Sequence, residues 1–164
     1  METDNYLIET INCTHKKIIF DLLNLPAYLS RFERNMILGN WDQFFQNFSA
    51  SNNFSWVIFT KKTKKMVGIV MFHNYIFSQK TIEFGVCIHP NYWRKGILSE
   101  IFPFLINWVQ FEISPIEIKA TIEEKNIIAQ TAALSLGFHL CTKTAKNEPG
   151  DKHLYHVYAL LVNK

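Results

Sequence analysis

The spacing of hydrophobic positions changes along the chain. Residues 6–11, Tyr-Leu-Ile-Glu-Thr-Ile, read as a short first strand. Ile18, Ile19, Leu22 and Leu23 then recur at helical spacing, which predicts a helix over 15–23 capped by Thr14. Pro26 punctuates, 27–38 read as a second helix ended by Gly39-Asn40, and 41–48 as a short amphipathic one. In the middle of the chain the period falls to that of strands, over 54–60, 66–76 and 81–89. Lys61-Lys62-Thr63-Lys64-Lys65, between the first two, predicts a solvated hairpin tip in preference to a patch for acidic partners. A helix follows over 97–111, with Leu98, Ile101, Phe102, Leu105, Trp108 and Val109 forming one apolar stripe. Pro103 inside it predicts a kink. After Ser114-Pro115, residues 116–122 alternate as a strand, 126–136 read as a helix stopped by Gly137, and 138–144 and 153–162 as two last strands around a turn at 146–151. This order predicts an α+β fold: a mostly antiparallel sheet covered by helices.

Composition narrows the class. The chain has 164 residues, enough for one domain with a sizeable core, so a single domain over 1–164 is expected. With 14 Phe, 6 Tyr and 4 Trp it has ample apolar surface to offset ordering entropy, which argues against disorder. A net charge of +3 is only mildly basic, and arginine is scarce, so no nucleic-acid partner is expected. The 3 cysteines, Cys13, Cys87 and Cys141, are far apart, without metal-ligand spacing, and their odd number argues against a disulfide framework. The polar, acidic start is unlike a secretory signal, and no apolar run reaches bilayer-spanning length. The expectation is a cytoplasmic, reduced protein without metal or membrane.

The stretch that carries chemistry is the strand at 81–89, the loop His89-Pro90-Asn91-Tyr92-Trp93-Arg94-Lys95-Gly96 and the helix after it. A helix start leaves N–H groups unpaired, and with the helix dipole these form an anion site suited to a pyrophosphate. Arg94 and Lys95 add positive charge, and Gly96 allows close backbone approach. These residues alone fit equally a basic helix start on a solvated corner.

The wording is more specific. Ile82-Glu83-Phe84-Gly85-Val86-Cys87-Ile88-His89-Pro90-Asn91-Tyr92-Trp93-Arg94-Lys95-Gly96-Ile97-Leu98-Ser99-Glu100 resembles the acetyl-CoA motif of the GNAT superfamily of N-acetyltransferases. It looks most like the branch that acetylates ribosomal-protein N-termini, whose pattern runs Glu-Ile-Gly-Tyr, then Tyr-Trp-Gly-Lys-Gly-Tyr-Ala-Thr-Glu. Asn126, followed by Gly137-Phe138, resembles that family's Asn helix ending in Leu-Gly-Phe. The resemblance covers about residues 56–138, and the ends only by element order. It implies a GNAT fold with a twisted sheet of about six to seven strands, and acetyl-CoA as co-substrate. It further implies that backbone groups of Val86, Cys87 and Ile88 pair with the pantetheine arm. Backbone N–H groups of Arg94, Lys95, Gly96, Ile97, Leu98 and Ser99 would hold the pyrophosphate, and Asn126 would bind the pantetheine or orient the thioester. Glu83 matches the family's strand Glu and is the candidate base for the attacking amine; by alternation it shares a face with Gly85 and Cys87.

Several positions depart from the pattern. The family prefers Gly at Arg94 and Gly or Ala at Leu98. Ala133 stands where many members carry a Tyr general acid, and Ala129 where the N-terminal-acetylating branch often has Ser. Tyr155, Tyr158 or water are the remaining sources of that proton. His73 and His89 read as half-buried strand-end residues, Cys87 as a small apolar strand residue, and Trp41, Phe44, Phe45 and Phe48 mostly as core. The expected function is acetyl transfer from acetyl-CoA to a primary amine, a protein N-terminus or a small molecule, by a monomer or homodimer. The absence of an acidic cluster favours a peptide or neutral acceptor over a polycation. The rival reading is a GNAT-like module that holds acyl-CoA without turnover, motivated by Leu98, Ala129 and Ala133.

Overall fold

A computed structural model describes residues 1–29, 41–48, 53–145 and 154–162. Strands are β1 (Tyr6–Thr10), β2 (Phe54–Thr60), β3 (Met66–Ile76), β4 (Thr81–Ile88), β5 (Glu117–Glu123), β6 (His139–Ala145) and β7 (Leu154–Leu161). Helices are α1 (Lys16–Leu23), α2 (Pro26–Leu29), α3 (Trp41–Phe48), α4 (Ile97–Glu112) and α5 (Ile127–Ser135). The strands form a 7-stranded sheet in the order β1-β2-β3-β4-β5-β7-β6. β1–β2, β2–β3, β5–β7 and β6–β7 pair antiparallel, whereas β4–β5 pair parallel. The expected α+β class and element order stand.

The contacts divide the chain into two compact units, Met1–His73 with Gly85–Ile97, and Asn74–Phe84 with Leu98–Lys164. In the first, Ile19, Leu22 and Leu23 from one face of α1 bury with Ile11, Tyr28, Phe45, Val57, Ile69 and Cys87. This stripe is the apolar spacing read from the sequence, and its removal from water drives the packing. The tip at 61–65 is a hairpin turn, closed by the Thr60 N–H donating to the Lys65 carbonyl at 3.0 Å.

In the second unit Phe84 on β4 meets Phe102 on α4 and Phe138 ahead of β6, with ring centroids 5.2 and 6.2 Å away. Ile101, Leu105 and Val109 of the α4 stripe are buried, while Leu98 and Trp108 are half-buried. Pro103 lies exposed inside one continuous helix.

Two local expectations change. Thr14 does not cap the first helix, whose N-cap is His15 with no side-chain cap bond. Asn12 caps the 3-10 turn Cys13–His15 that leads into it, accepting from the Thr14 N–H at 2.9 Å while its own N–H donates to His15 Nδ1 at 3.2 Å. This is a capping box with His as the reciprocal acceptor. Pro26 opens a helix, since its fixed φ and missing N–H suit a first helical position. The expected helix over 27–38 survives as Pro26–Leu29, and its remainder, Gly39-Asn40 and the turn at 146–151 lie outside the described residues. So do the side chains of Trp41, Phe44 and Phe48, whereas Phe45 is core.

Candidate functional site

In the first unit the site begins where β4 runs close beside β3. A Cβ at Gly68 would come within 2.6 Å of the Cys87 carbonyl oxygen, so this approach requires glycine. The His89 N–H donates to the Val67 carbonyl at 2.8 Å. Cys87 turns its side chain into the core, as a small apolar residue would. The Ile88 carbonyl accepts from the Tyr28 hydroxyl and from Trp93 Nε1, the latter at 2.5 Å. These two side chains tie the end of β4 to α2 and to the loop; Trp93 stands in the motif, whereas nothing in the sequence pattern marked Tyr28.

The loop itself is built residue by residue. His89 Nδ1 accepts the Asn91 N–H at 3.2 Å and so caps a 3-10 turn, Pro90–Tyr92. His89 therefore has a structural task in the loop. The Tyr92 and Trp93 N–H groups are spent on the His89 and Pro90 carbonyls. The chain then enters the left-handed region twice, at Arg94 (φ 60°) and Gly96 (φ 73°). Nothing lies within 4 Å of a Cβ placed at Gly96, so glycine is needed there for its φ and not for space. Trp93, just before Arg94, is extended (φ −61°, ψ 148°), and a turn of this kind can gather successive N–H groups into a concavity that suits an anion. α4 starts at Ile97, and its leading N–H groups, those of Ile97, Leu98 and Ser99 among them, lack intrahelical carbonyls. Arg94 and Lys95 are exposed, and Lys95 Nζ lies 4.9 Å from the Tyr92 ring centroid. Ile97 is buried and anchors the helix start.

In the second unit Glu83 is half-buried on β4, next to Lys119 in the parallel ladder with β5. The pairs of that ladder run from Thr81↔Glu117 to Glu83↔Lys119, while β4 continues to Ile88. Asn74 Nδ2 donates to Glu83 Oε2 at 3.2 Å. Asn126 is the N-cap of α5, its Oδ1 accepting the Ala129 N–H at 3.3 Å. Gln130 braces the same turn: Nε2 donates to the Glu124 carbonyl at 2.6 Å and the Glu123 carbonyl at 3.2 Å, and Oε1 accepts from the Tyr158 hydroxyl at 3.2 Å. Tyr158 is buried, and so is Ala133, on the inner side of α5. Sequence reading did not find Gln130; a polar residue four positions beyond an N-cap was its only signal.

Val86, Cys87, Ile88, Arg94, Lys95, Gly96 and Ile97 thus fall in the first unit, and Glu83, Leu98, Ser99 and Asn126 in the second. Among the described residues no three His, Cys, Asp or Glu side chains gather as a metal site, and no helix is long and apolar enough to cross a membrane. Cys13 and Cys141 are exposed free thiols and Cys87 a buried one.

The sheet has a parallel β4–β5 step, and the loop and α4 lie between these two strands in the chain. The chain belongs to the acetyltransferase (GNAT) domain family, whose model matches residues 14–139. It is 26% identical over 83 residues to an uncharacterised N-acetyltransferase, YoaA, of Bacillus subtilis; the match covers 51% of this chain and 47% of that protein, so it spans about half of this curated relative. Among solved structures, the ribosomal-protein-S5-alanine acetyltransferase of Vibrio fischeri is similar, with a TM-score of 0.81, 17% identity, and coverage of 100% of this chain and 97% of that one. A Vibrio cholerae spermidine N-acetyltransferase SpeG chimera with hSSAT gives a TM-score of 0.81 at 13% identity, covering 95% of each chain. At these identities the structural likenesses establish the fold.

Proposed function

We propose that this chain transfers an acetyl group from acetyl-CoA to a primary amine by direct attack in a ternary complex. The observation that carries the reading is the pair of left-handed residues, Arg94 and Gly96, immediately before the leading N–H groups of α4. That arrangement suits a pyrophosphate, which backbone N–H groups of Arg94 through Ser99 would hold. Cys87 turns its carbonyl toward β3, and backbone groups alternate sides along a strand. Val86 and Ile88 therefore offer the groups on the other edge to the pantetheine arm, Ile88 by its N–H because its carbonyl already has two donors. Asn126 uses Oδ1 as a cap and would offer Nδ2 to the same arm.

In the reaction the amine nitrogen attacks the thioester carbonyl carbon, and backbone N–H groups stabilise the oxyanion. Glu83 accepts the amine proton directly or through one water. The C–S bond then breaks and CoA leaves as a thiolate. The Tyr158 hydroxyl donates to Gln130 and Ala133 has no proton to give, so Tyr155 or solvent water protonates the thiolate. Spermidine and a ribosomal-protein alanine, the acceptors for which the two structural relatives are named, both present primary amines. The chemical class proposed for the acceptor is therefore a primary amine, with a peptide N-terminus first to be screened. The free thiols fit a reducing cytoplasm. The proposed assembly is a monomer or homodimer, which sedimentation would check; a spermidine N-acetyltransferase of the same fold is dodecameric.

The test is thiol release from acetyl-CoA over a panel of amines. Amine-dependent release, reduced about 100-fold or more by Glu83→Gln, is expected. The buried Ala133 favours a second reading, acyl-CoA binding without turnover. Binding with no release for any amine would support that reading instead.

A further inference from the structure

Asn74 has a backbone that the other features of β3 do not explain. Its φ is 53°, inside the strand Met66–Ile76. The other described non-glycine residues with positive φ are Lys64, Lys80, Arg94 and Ser114, all in turns or loops between elements. A left-handed residue inside a strand is a local departure of the kind found beside active sites. Asn tolerates this conformation better than most side chains. The Asn74 carboxamide donates from Nδ2 to Glu83 Oε2 at 3.2 Å.

We infer that Asn74 is a positioning residue that holds the Glu83 carboxylate in the orientation in which it takes the amine proton. The inference rests on the reading of Glu83 as the base. A bond to one oxygen restrains rotation about the last side-chain torsion of Glu83. A general base must lie within hydrogen-bond reach of its proton, directly or through one water, so a carboxylate turned away from that position loses rate without losing cofactor affinity.

Three variants separate the contributions. Asn74→Gly keeps a residue that adopts positive φ and removes the carboxamide. Asn74→Asp keeps the shape and replaces the donor by a second carboxylate. Glu83→Gln removes the base. With the best amine from the panel, Asn74→Gly should lower kcat about tenfold while KM for acetyl-CoA stays within about twofold, and Asn74→Asp should lower kcat further. In the Glu83→Gln background Asn74→Gly should cost nothing more, because the two residues act as a unit. A readout that needs no acceptor is the side-chain amide signal of Asn74 in a nitrogen–proton spectrum, assigned by its loss in Asn74→Gly. It should shift in Glu83→Gln. A slow Glu83→Gln with an unimpaired Asn74→Gly, or losses that multiply, would overturn the role of Asn74 and leave the base in place. An unimpaired Glu83→Gln, or no active amine, would instead overturn the reading of Glu83, and the role of Asn74 with it.

Discussion

Arg94 shows how a residue's meaning changes once its backbone is known. In the sequence it is a basic residue where the family pattern prefers Gly. In the structure its φ of 60° explains the preference, because a side chain there crowds the following carbonyl at a cost of about 1–2 kcal/mol. Arg94→Gly should therefore stabilise the fold by about 0.5–1 kcal/mol, after allowing for the greater entropy glycine regains on unfolding. Denaturant unfolding checks this, and a loss of stability would mean that the guanidinium makes a stabilising contact of its own. Gly96 was legible as a meaningful glycine, since Gly at a loop–helix junction is a local signal, but it was read as allowing close backbone approach, and its positive φ came only with the structure. Asn74 was not, because its importance depends on a partner nine positions away and on a dihedral that residue type alone does not fix. Thr14 was misread for a related reason: Asn12, Thr14 and His15 offer overlapping caps, and only the backbone selects Asn12.

At the scale of elements, strands were legible almost to the residue where alternation or β-branched runs are strong, as in β2 and β3. Helix ends were less so. α5 spans Ile127–Ser135, with Asn126 as its cap and not its first turn. That gives Asn126 two separable tasks. Asn126→Ala should lose the cap and destabilise by about 1 kcal/mol. Asn126→Ser should keep the cap and stability while raising KM for acetyl-CoA, if Nδ2 serves the pantetheine arm. Thermal unfolding and steady-state kinetics on both variants distinguish the tasks, and an unchanged KM in Asn126→Ser would remove Asn126 from the cofactor site. Pro103 shows the opposite limit of local reasoning. It costs a hydrogen bond inside α4, yet the helix runs through it from Ile97 to Glu112 because the buried stripe of Ile101, Leu105 and Val109 holds both halves.

At the scale of the molecule, the class and order of elements followed from periodicity, but the pairing did not. β7 lies between β5 and β6 in the sheet, and β4–β5 is a parallel step; both depend on contacts between distant segments that no local pattern encodes. The short β4–β5 ladder has the same origin. What the sequence did carry was the place of the loop, because a strand end, a short basic loop and a helix start are local signals; the turn capped by His89 and the two left-handed residues, all within residues 88–97, came with the structure. The central claim is that this loop binds acetyl-CoA. Calorimetric titration of acetyl-CoA into the protein and into Gly96→Trp tests it most directly, since a Trp at φ 73° is strained whatever the space around it. The account predicts binding at about micromolar acetyl-CoA that the variant loses while staying folded. Absence of binding at about millimolar acetyl-CoA, or equal binding by a folded variant, would contradict it.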